Sequence, residues 1–159
     1  MMRVMHWVAM TALAPLALAC APQEGESEPP PSQQEARTFK SIPAPTRPEV
    51  KTHIVGADNG KTIEVKNDTM IAVEIVGIPT AGYVWSVVEV PPFLSAAGES
   101  GGPTSEAQLQ EGFSGGRHWE VFFFNVTGAG EGPLRLEQRR PWETEGPPDD
   151  TFSVTIKAG

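Results

Sequence analysis

Polar and apolar residues alternate along several short segments of this chain, most clearly near its end. In residues 151–157, Phe152, Val154 and Ile156 are separated by threonine and serine and followed by lysine. A period of two is typical of a β-strand with one buried face. Such patterns, together with short apolar runs, predict strands in seven segments: residues 51–55, 62–65, 70–76, 83–90, 117–126, 134–139 and 151–157.

Elements other than strands are scarce in the pattern. No segment carries a convincing helical stripe, although residues 104–111 fit a short helical turn within a long loop. The sequence Asp58-Asn59-Gly60 is a strong signal for a β-hairpin. Seven or so short strands in about 110 residues favour an all-β fold, an immunoglobulin-like antiparallel β-sandwich. Its core would combine aliphatic side chains with aromatic ones: Trp85, Trp119, Phe122, Phe124 and Phe152.

Three connections between the predicted strands are long or stiff: residues 77–82, 97–116 and 140–150. In the first of them, Pro79 fixes its own φ and biases Ile78 toward an extended shape, and Gly82 can take a positive φ. A stiff loop loses little entropy when it docks against a partner. Because alternate loops of a sandwich gather at one end, we expect the three loops to form one binding surface. An ordinary hairpin turn is the alternative for the first loop.

Residues 1–20 have the composition of a targeting segment. Arg3 provides a positive charge, and the stretch after it is nearly all apolar but too short for a confident transmembrane span. Small residues precede Cys20, the only cysteine of the chain, in a pattern that resembles a bacterial lipobox. We therefore expect a lipoprotein signal peptide and a diacylated Cys20. The alternative is an ordinary secretory signal, cleaved near Ala19 or Ala21.

A lipid on Cys20 would attach the protein to a membrane of the bacterial cell envelope. The next residue is Ala21 rather than aspartate, which resembles the default for outer-membrane sorting in Gram-negative lipoproteins. We expect the protein at the outer membrane, facing the periplasm or the exterior. The formal net charge is −8, so the acyl chains must do the anchoring, because an acidic chain does not adhere to anionic lipid. The same charge argues against a nucleic-acid partner, since phosphate binding requires clustered lysine and arginine.

Residues 21–48 differ in composition from residues 49–159. Seven prolines are interspersed with glutamate, glutamine and serine, and almost nothing apolar is present. Such a segment cannot form a core, so we predict a disordered, proline-stiffened tether. It would hold the folded domain, residues 49–159, away from the membrane. A single cysteine also excludes an intramolecular disulfide and a cluster of thiolate metal ligands.

Motifs of enzymes and metal sites have only weak counterparts in the folded part. Residues 112–116 formally match the Gly-x-Ser-x-Gly nucleophile elbow around Ser114, but that motif requires a following helix, and residues 117–126 have a strand pattern. His53 and His118 are isolated and lack the spacing of a metal site. We therefore expect no enzymatic activity, no cofactor and no metal, with a serine hydrolase at Ser114 as the alternative.

The last long loop contains Arg140, Pro141 and Trp142. A tryptophan beside a proline in a loop is a poor candidate for core packing, whereas tryptophan and arginine are the side chains most often found at binding hot spots. Pro141 limits the freedom of the loop, so Trp142 can be held ready to dock. This loop is therefore predicted to bind a partner.

Three loop motifs occur in the same order as in the chagasin-like inhibitors of papain-family cysteine peptidases. The family pattern is Asn-Pro-Thr-Thr-Gly followed by an aromatic residue and a tryptophan, then Gly-x-Gly-Gly, then Arg-Pro-Trp. Residues 78–85, 113–116 and 140–142 are similar to these three motifs. The chain departs from the pattern where isoleucine, alanine and phenylalanine replace asparagine, threonine and glycine: Ile78, Ala81 and Phe113.

The resemblance implies a reversible, non-covalent inhibitor with an immunoglobulin-like fold, whose three loops occlude the active-site cleft of papain-family (clan CA) cysteine peptidases. The first loop would lie over the catalytic cysteine and histidine of the peptidase, with the second and third on either side. The peptidase-binding residues implied are those of the three motifs: Ile78, Pro79, Thr80, Ala81, Gly82, Phe113, Ser114, Gly115, Gly116, Arg140, Pro141 and Trp142. A monomer is expected. The alternative is an envelope lipoprotein binding module with the same fold and a non-peptidase partner.

Overall fold

The computed structural model describes residues 39–159, which form eight β-strands. The predicted signal peptide, its lipidated Cys20 and the first part of the predicted tether lie outside these residues. The strands are β1 (Val50–Val55), β2 (Thr62–Val65), β3 (Met70–Gly77), β4 (Val84–Glu89), β5 (Leu94–Pro103), β6 (His118–Val126), β7 (Gly130–Arg139) and β8 (Asp150–Ala158). Three short 3-10 helices interrupt the loops: Gly56–Asp58, Pro79–Ala81 and Glu106–Leu109. Among residues 39–159, no helix has the length and hydropathy needed to cross a membrane.

The strands form two four-stranded sheets, ordered β1–β3–β6–β5 and β2–β8–β7–β4. The predicted all-β sandwich is confirmed, with eight strands where the pattern predicted about seven. It is not antiparallel throughout, because β1 pairs with β3 and β2 pairs with β8 in parallel. The additional strand is β5, most of which lies in the segment 97–116 expected to be a loop. Its sequence is rich in glycine and serine and carries no clear alternation, and its backbone pairs with β6 along its whole length.

The hairpin predicted at Asp58-Asn59-Gly60 is wrong. The strands on either side of it, β1 and β2, belong to different sheets, so this turn carries the chain from one sheet to the other. It is fixed to β8 instead of closing a hairpin. The Gly60 amide donates to the carbonyl of Ser153 at 2.7 Å, and the Asn59 side chain accepts from the Ser153 amide at 2.8 Å. Residues of this type therefore correctly indicated a turn, but not strand pairing across it.

The core between the sheets is built from the inward residues of both sheets. It includes four of the predicted aromatic residues, Trp85, Phe122, Phe124 and Phe152, each at most 9% exposed. The fifth prediction, Trp119, is wrong, because its side chain lies on the opposite face of β6.

A second, smaller apolar cluster covers the outer face of β3 and β6. Val50, Ala72, Val121 and Phe123 are buried there, and Trp119 packs against them. Residues 39–48, which were predicted to belong to the tether, run over this cluster. The folded part of the chain thus begins about ten residues earlier than composition indicated, because apolar surface on the outer face of the sheet gives the proline-rich segment something to cover.

Candidate functional site

The loop between β3 and β4 is closed by its own backbone. Ile78 and Tyr83 exchange two hydrogen bonds, 3.1 and 3.2 Å long, and the Ala81 amide donates to the Ile78 carbonyl at 2.9 Å. Pro79 begins a single 3-10 turn that ends at Gly82, whose φ of 84° lies in the left-handed region. The shape of this loop therefore depends on backbone bonds and one glycine, and not on the side chain of Ile78.

The loop between β7 and β8 holds Trp142 at a turn. The Glu143 amide donates to the carbonyl of Arg140 at 2.9 Å, and the Arg139 guanidinium donates to the carbonyl of Gly146 at 2.9 Å. These bonds fix both halves of the loop. Trp142 nevertheless remains 67% exposed, so an ordered loop displays a large aromatic ring to solvent.

The first and third loops are in direct contact. The ring of Trp142 lies on Gly82, so closely that a Cβ added to Gly82 would come within 2.9 Å of the ring Cζ2. The Arg140 guanidinium lies 4.3 Å from the centroid of the Tyr83 ring, a cation–π contact. Arg140 also forms an ion pair with Glu143 at 3.0 Å, and this hydrogen bond raises the pKa of Arg140. In the free protein Arg140 thus ties the two loops together.

The loop between β5 and β6 is organised at its base by Gln108. The side-chain oxygen of Gln108 accepts from the amides of Thr104 and Ser105 at 2.6 and 3.1 Å. The side-chain nitrogen donates to the carbonyl of Arg117 at 2.7 Å. A single side chain in the 3-10 helix Glu106–Leu109 therefore joins the two ends of the loop.

The tip of this second loop faces the first loop. Gly115 and Gly116 both have positive φ, 86° and 94°, and a Cβ added to Gly115 would lie 3.9 Å from the Thr80 hydroxyl. Phe113 packs over Gly116, where an added Cβ would lie 3.4 Å from its ring, and stays 45% exposed. The tip thus brings glycine backbone beside Thr80 and leaves one apolar ring, that of Phe113, partly exposed. Together, the three loops form one surface at one end of the sandwich.

Below this surface, Glu120 links the two sheets. Its Oε2 accepts from the Trp85 backbone amide at 2.9 Å, and the Trp85 indole donates to the carbonyl of Val76 at 3.0 Å. Oε1 packs against Gly77 and has no hydrogen-bond partner among the described residues. Burial raises the pKa of Glu120, and the hydrogen bond from Trp85 partly opposes this shift. The nearby Glu99 raises the pKa further, and His118 lowers it.

Comparison with known proteins identifies the family to which the chain belongs. The sequence model of the chagasin family peptidase inhibitors (I42) matches residues 64–156, more than half of the chain. The chain belongs to the chagasin family. Its structure is similar to that of EhICP2, a cysteine protease inhibitor from Entamoeba histolytica, with a TM-score of 0.59 and 15% identity over 68% of this chain and 95% of that one. It is also similar to amebosin, with a TM-score of 0.53 and 26% identity over 68% and 97% of the two chains. No curated protein sequence matches significantly.

The chagasin assignment agrees with the fold and decides between inhibitor and enzyme. EhICP2 has the same sandwich architecture, which confirms the immunoglobulin-like fold predicted from the strand pattern. The family consists of peptidase inhibitors, so the protein is not an enzyme. The surroundings of Ser114 agree with this, because the next element is the strand β6, which begins at His118, and not the helix that a nucleophile elbow requires.

The histidines considered as metal ligands do not form a site within the described residues. His53 pairs with Glu74 on the β1–β3 edge, and the ring of His118 contacts the carbonyl of Gly116 at 3.3 Å. Between residues 39 and 159, no group of three or more histidine, cysteine or acidic residues is arranged to hold a metal ion.

Two residues that support the three-loop surface were not predicted from the sequence. Gln108 stands three residues after Ser105, and this Ser-x-x-Gln spacing is that of a capping box, a signal that identifies such a residue. Glu120 carries no comparable signal. Its role depends on Gly77, which leaves room for the carboxylate between the sheets.

Proposed function

We propose that this protein is a reversible, non-covalent inhibitor of papain-family cysteine peptidases and that its three loops occlude the active-site cleft. The proposal is supported by membership of the chagasin family, by the order of the three loop motifs and by their convergence at one end of the sandwich. Inhibition of this kind requires only a rigid surface complementary to the cleft.

In this proposal the loop from Ile78 to Gly82 covers the catalytic cysteine and histidine of the peptidase. The Thr80 side chain is exposed, so its hydroxyl can form hydrogen bonds there. The internal bonds of the loop oppose the extended conformation that a substrate adopts, so the loop blocks the site without being cleaved. Pro79 and Ala81 line the same exposed turn.

The other two loops contact the cleft on either side of the first. Gly115 and Gly116 allow close approach of the backbone, Ser114 offers a hydroxyl, and Phe113 adds an apolar contact. On the other side, Pro141 and Trp142 present an apolar edge. These contacts together are expected to approach the size of an ordinary inhibitor interface, roughly 1,600 Å² in total.

The observation that carries the proposal is the contact between Trp142 and Gly82. It holds a large, exposed aromatic ring in one orientation beside the first loop, so little conformational entropy is lost when the ring docks. Aromatic residues held in this way are typical binding hot spots.

The deciding experiment is a titration of papain and of a cathepsin L-like peptidase with the domain Thr38–Gly159, a compact unit, against a fluorogenic peptide. We expect reversible inhibition below micromolar concentrations, and no inhibition of trypsin, whose active site has no catalytic cysteine. Lack of inhibition of both cysteine peptidases at high micromolar concentration would refute the proposal. The protein would then be better described as a binding module with a non-peptidase partner.

We also propose that the inhibitor is a lipoprotein of the bacterial cell envelope, anchored through Cys20 and acting as a monomer at the outer membrane. The support is the composition of residues 1–20 and the single cysteine that ends them. Metabolic labelling with a palmitate analogue should mark the wild-type chain and not Cys20→Ser. Equal labelling of the two chains would refute the anchor.

A further inference from the structure

Residues 39–48 form a strap that runs from the start of β1, over the outer face of the β3–β6 sheet, to the base of the second loop. We propose that this strap contributes to inhibition because it positions the second loop for binding. The proposal rests on the proposed function. The strap lies before the segment that the family model matches, which begins at residue 64, and the three loop motifs do not include it.

One end of the strap is fixed to the sheet by Arg47. The Arg47 guanidinium lies 4.1 Å from the centroid of the Phe123 ring and donates to the carbonyl of Ala97 at 2.8 Å. Ala44 packs into the same outer cluster. The strap therefore covers a hydrophobic surface and is anchored by a charged group that stacks on it.

The other end of the strap pairs with the second loop. Ser41 and Ser105 form an antiparallel bridge, in which the Ile42 amide donates to the carbonyl of Thr104 at 2.8 Å and the Glu106 amide donates to that of Lys40 at 3.0 Å. The indole of Trp119 donates to the Ile42 carbonyl at 2.8 Å, which ties this end to β6.

The strap and Gln108 hold the same short segment from two sides. The amides of Thr104 and Ser105 donate to the Gln108 side chain, while the carbonyl of Thr104 accepts from the strap. Beyond this base, the loop carries Gly112, Gly115 and Gly116, all with positive φ.

Support from the strap matters because the second loop differs from the other two. The first and third loops brace each other through Trp142 on Gly82 and Arg140 on Tyr83. Glycine-rich backbone loses much conformational entropy on ordering. A base ordered before binding lowers the entropy that docking costs, so loss of the strap should weaken binding through the second loop alone.

The test compares proline variants of residues 21–159, the chain without its predicted signal peptide and lipidated cysteine. Ile42→Pro removes the amide that donates to Thr104. Lys40→Pro is the matched control, because the Lys40 amide forms no hydrogen bond within the described residues and its carbonyl is retained. Trp119→Phe is a second variant, which loses the indole donor and keeps an aromatic ring. Amide hydrogen exchange is measured on the free proteins, and dissociation from papain is measured kinetically.

We expect exchange of the Glu106 and Gln108 amides to become about tenfold faster in Ile42→Pro and Trp119→Phe, since loss of one hydrogen bond opens the base. Exchange in the first loop, at Ala81, should not change. Dissociation from papain should become about three- to tenfold faster, and this effect should largely vanish when Phe113→Ala is already present, because both changes act through one loop.

Two results would overturn the proposal. Exchange in Ile42→Pro equal to that in Lys40→Pro would mean that the strap does not hold the loop. Faster exchange with unchanged dissociation would mean that the strap does not contribute to binding. If no form, the wild type included, inhibits papain or the cathepsin L-like peptidase, the proposed function fails, and the exchange data still decide whether the strap orders the loop.

Discussion

Replacing Trp142 with alanine tests the proposed binding surface most directly. In the free protein this residue is 67% exposed and rests on Gly82, so its removal should lower the free energy of unfolding only slightly. In the complex the ring would be covered by the peptidase. The substitution therefore separates binding from folding.

The expected loss follows from the area that docking would cover. A tryptophan buries roughly 150–250 Å² when enclosed, so covering the exposed 67% of Trp142 removes on the order of 130 Å² from water. At about 25 cal/mol per Å² this corresponds to about 3 kcal/mol. Truncation of a central hot-spot residue costs at least about 2 kcal/mol. Because 1.4 kcal/mol is a factor of ten, inhibition should weaken about 30- to 150-fold.

The assay measures the inhibition constant for papain, and thermal unfolding shows whether the variant keeps its fold. Trp142→Phe should give an intermediate constant, because a smaller ring can still rest on Gly82. Val88→Ala removes an exposed apolar side chain from β4, away from the loops, and should leave inhibition unchanged. A constant for Trp142→Ala within threefold of the wild type, with unfolding unchanged, would remove Trp142 from the binding surface.

Three further substitutions test the support of the surface. Gly82→Ala should weaken inhibition about as much as Trp142→Ala, because its Cβ would displace the ring; inhibition titration measures this, and wild-type affinity would contradict it. Gln108→Ala should lower the free energy of unfolding by about 1–3 kcal/mol, because it leaves backbone groups unpaired; urea unfolding measures this, and no loss would contradict it. Burial raises the pKa of Glu120 above its ordinary 4.5, so the folded state binds the proton more tightly than the unfolded state. The free energy of unfolding therefore falls as pH rises from the unfolded-state pKa through the folded-state pKa. Glu120→Gln should remove that fall, as urea unfolding between about pH 4 and 8 would show; an unchanged pH dependence would contradict it.

The strand pattern predicted most of the fold because side chains facing the core follow a period of two. It failed at β5, whose residues Leu94–Pro103 carry few core side chains and whose order comes from backbone pairing with β6. It also failed for the strap, since proline-rich composition indicates only that a segment cannot form its own core. A signal for the strap was nevertheless present: residues 121–124 are all apolar, and a strand apolar on both faces must be covered on both.

The site residues and their common surface were predicted from three motifs, but the contacts between the loops were not. Sequence alone gives no distance between Gly82 and Trp142, because the contact joins loops far apart in the chain. Arg140 was predicted to bind the peptidase, and its contact with Tyr83 in the free structure was not foreseen. Side chains below the surface, such as Glu120, are not found by a motif search, because their role depends on a neighbour from another strand, here Gly77.

The departures from the family pattern affect the two properties of the first loop differently. The loop is closed by backbone bonds between Ile78 and Tyr83, which any side chain at position 78 permits, so isoleucine in place of asparagine leaves its shape intact. Ala81 is exposed, and alanine in place of threonine changes only what a partner contacts. Gly82 is different, because the ring of Trp142 occupies the space of its Cβ. The shape of the first loop therefore depends on Gly82, which matches the family pattern, and Ile78 and Ala81, which differ from it, change the side chains that the loop offers to a partner.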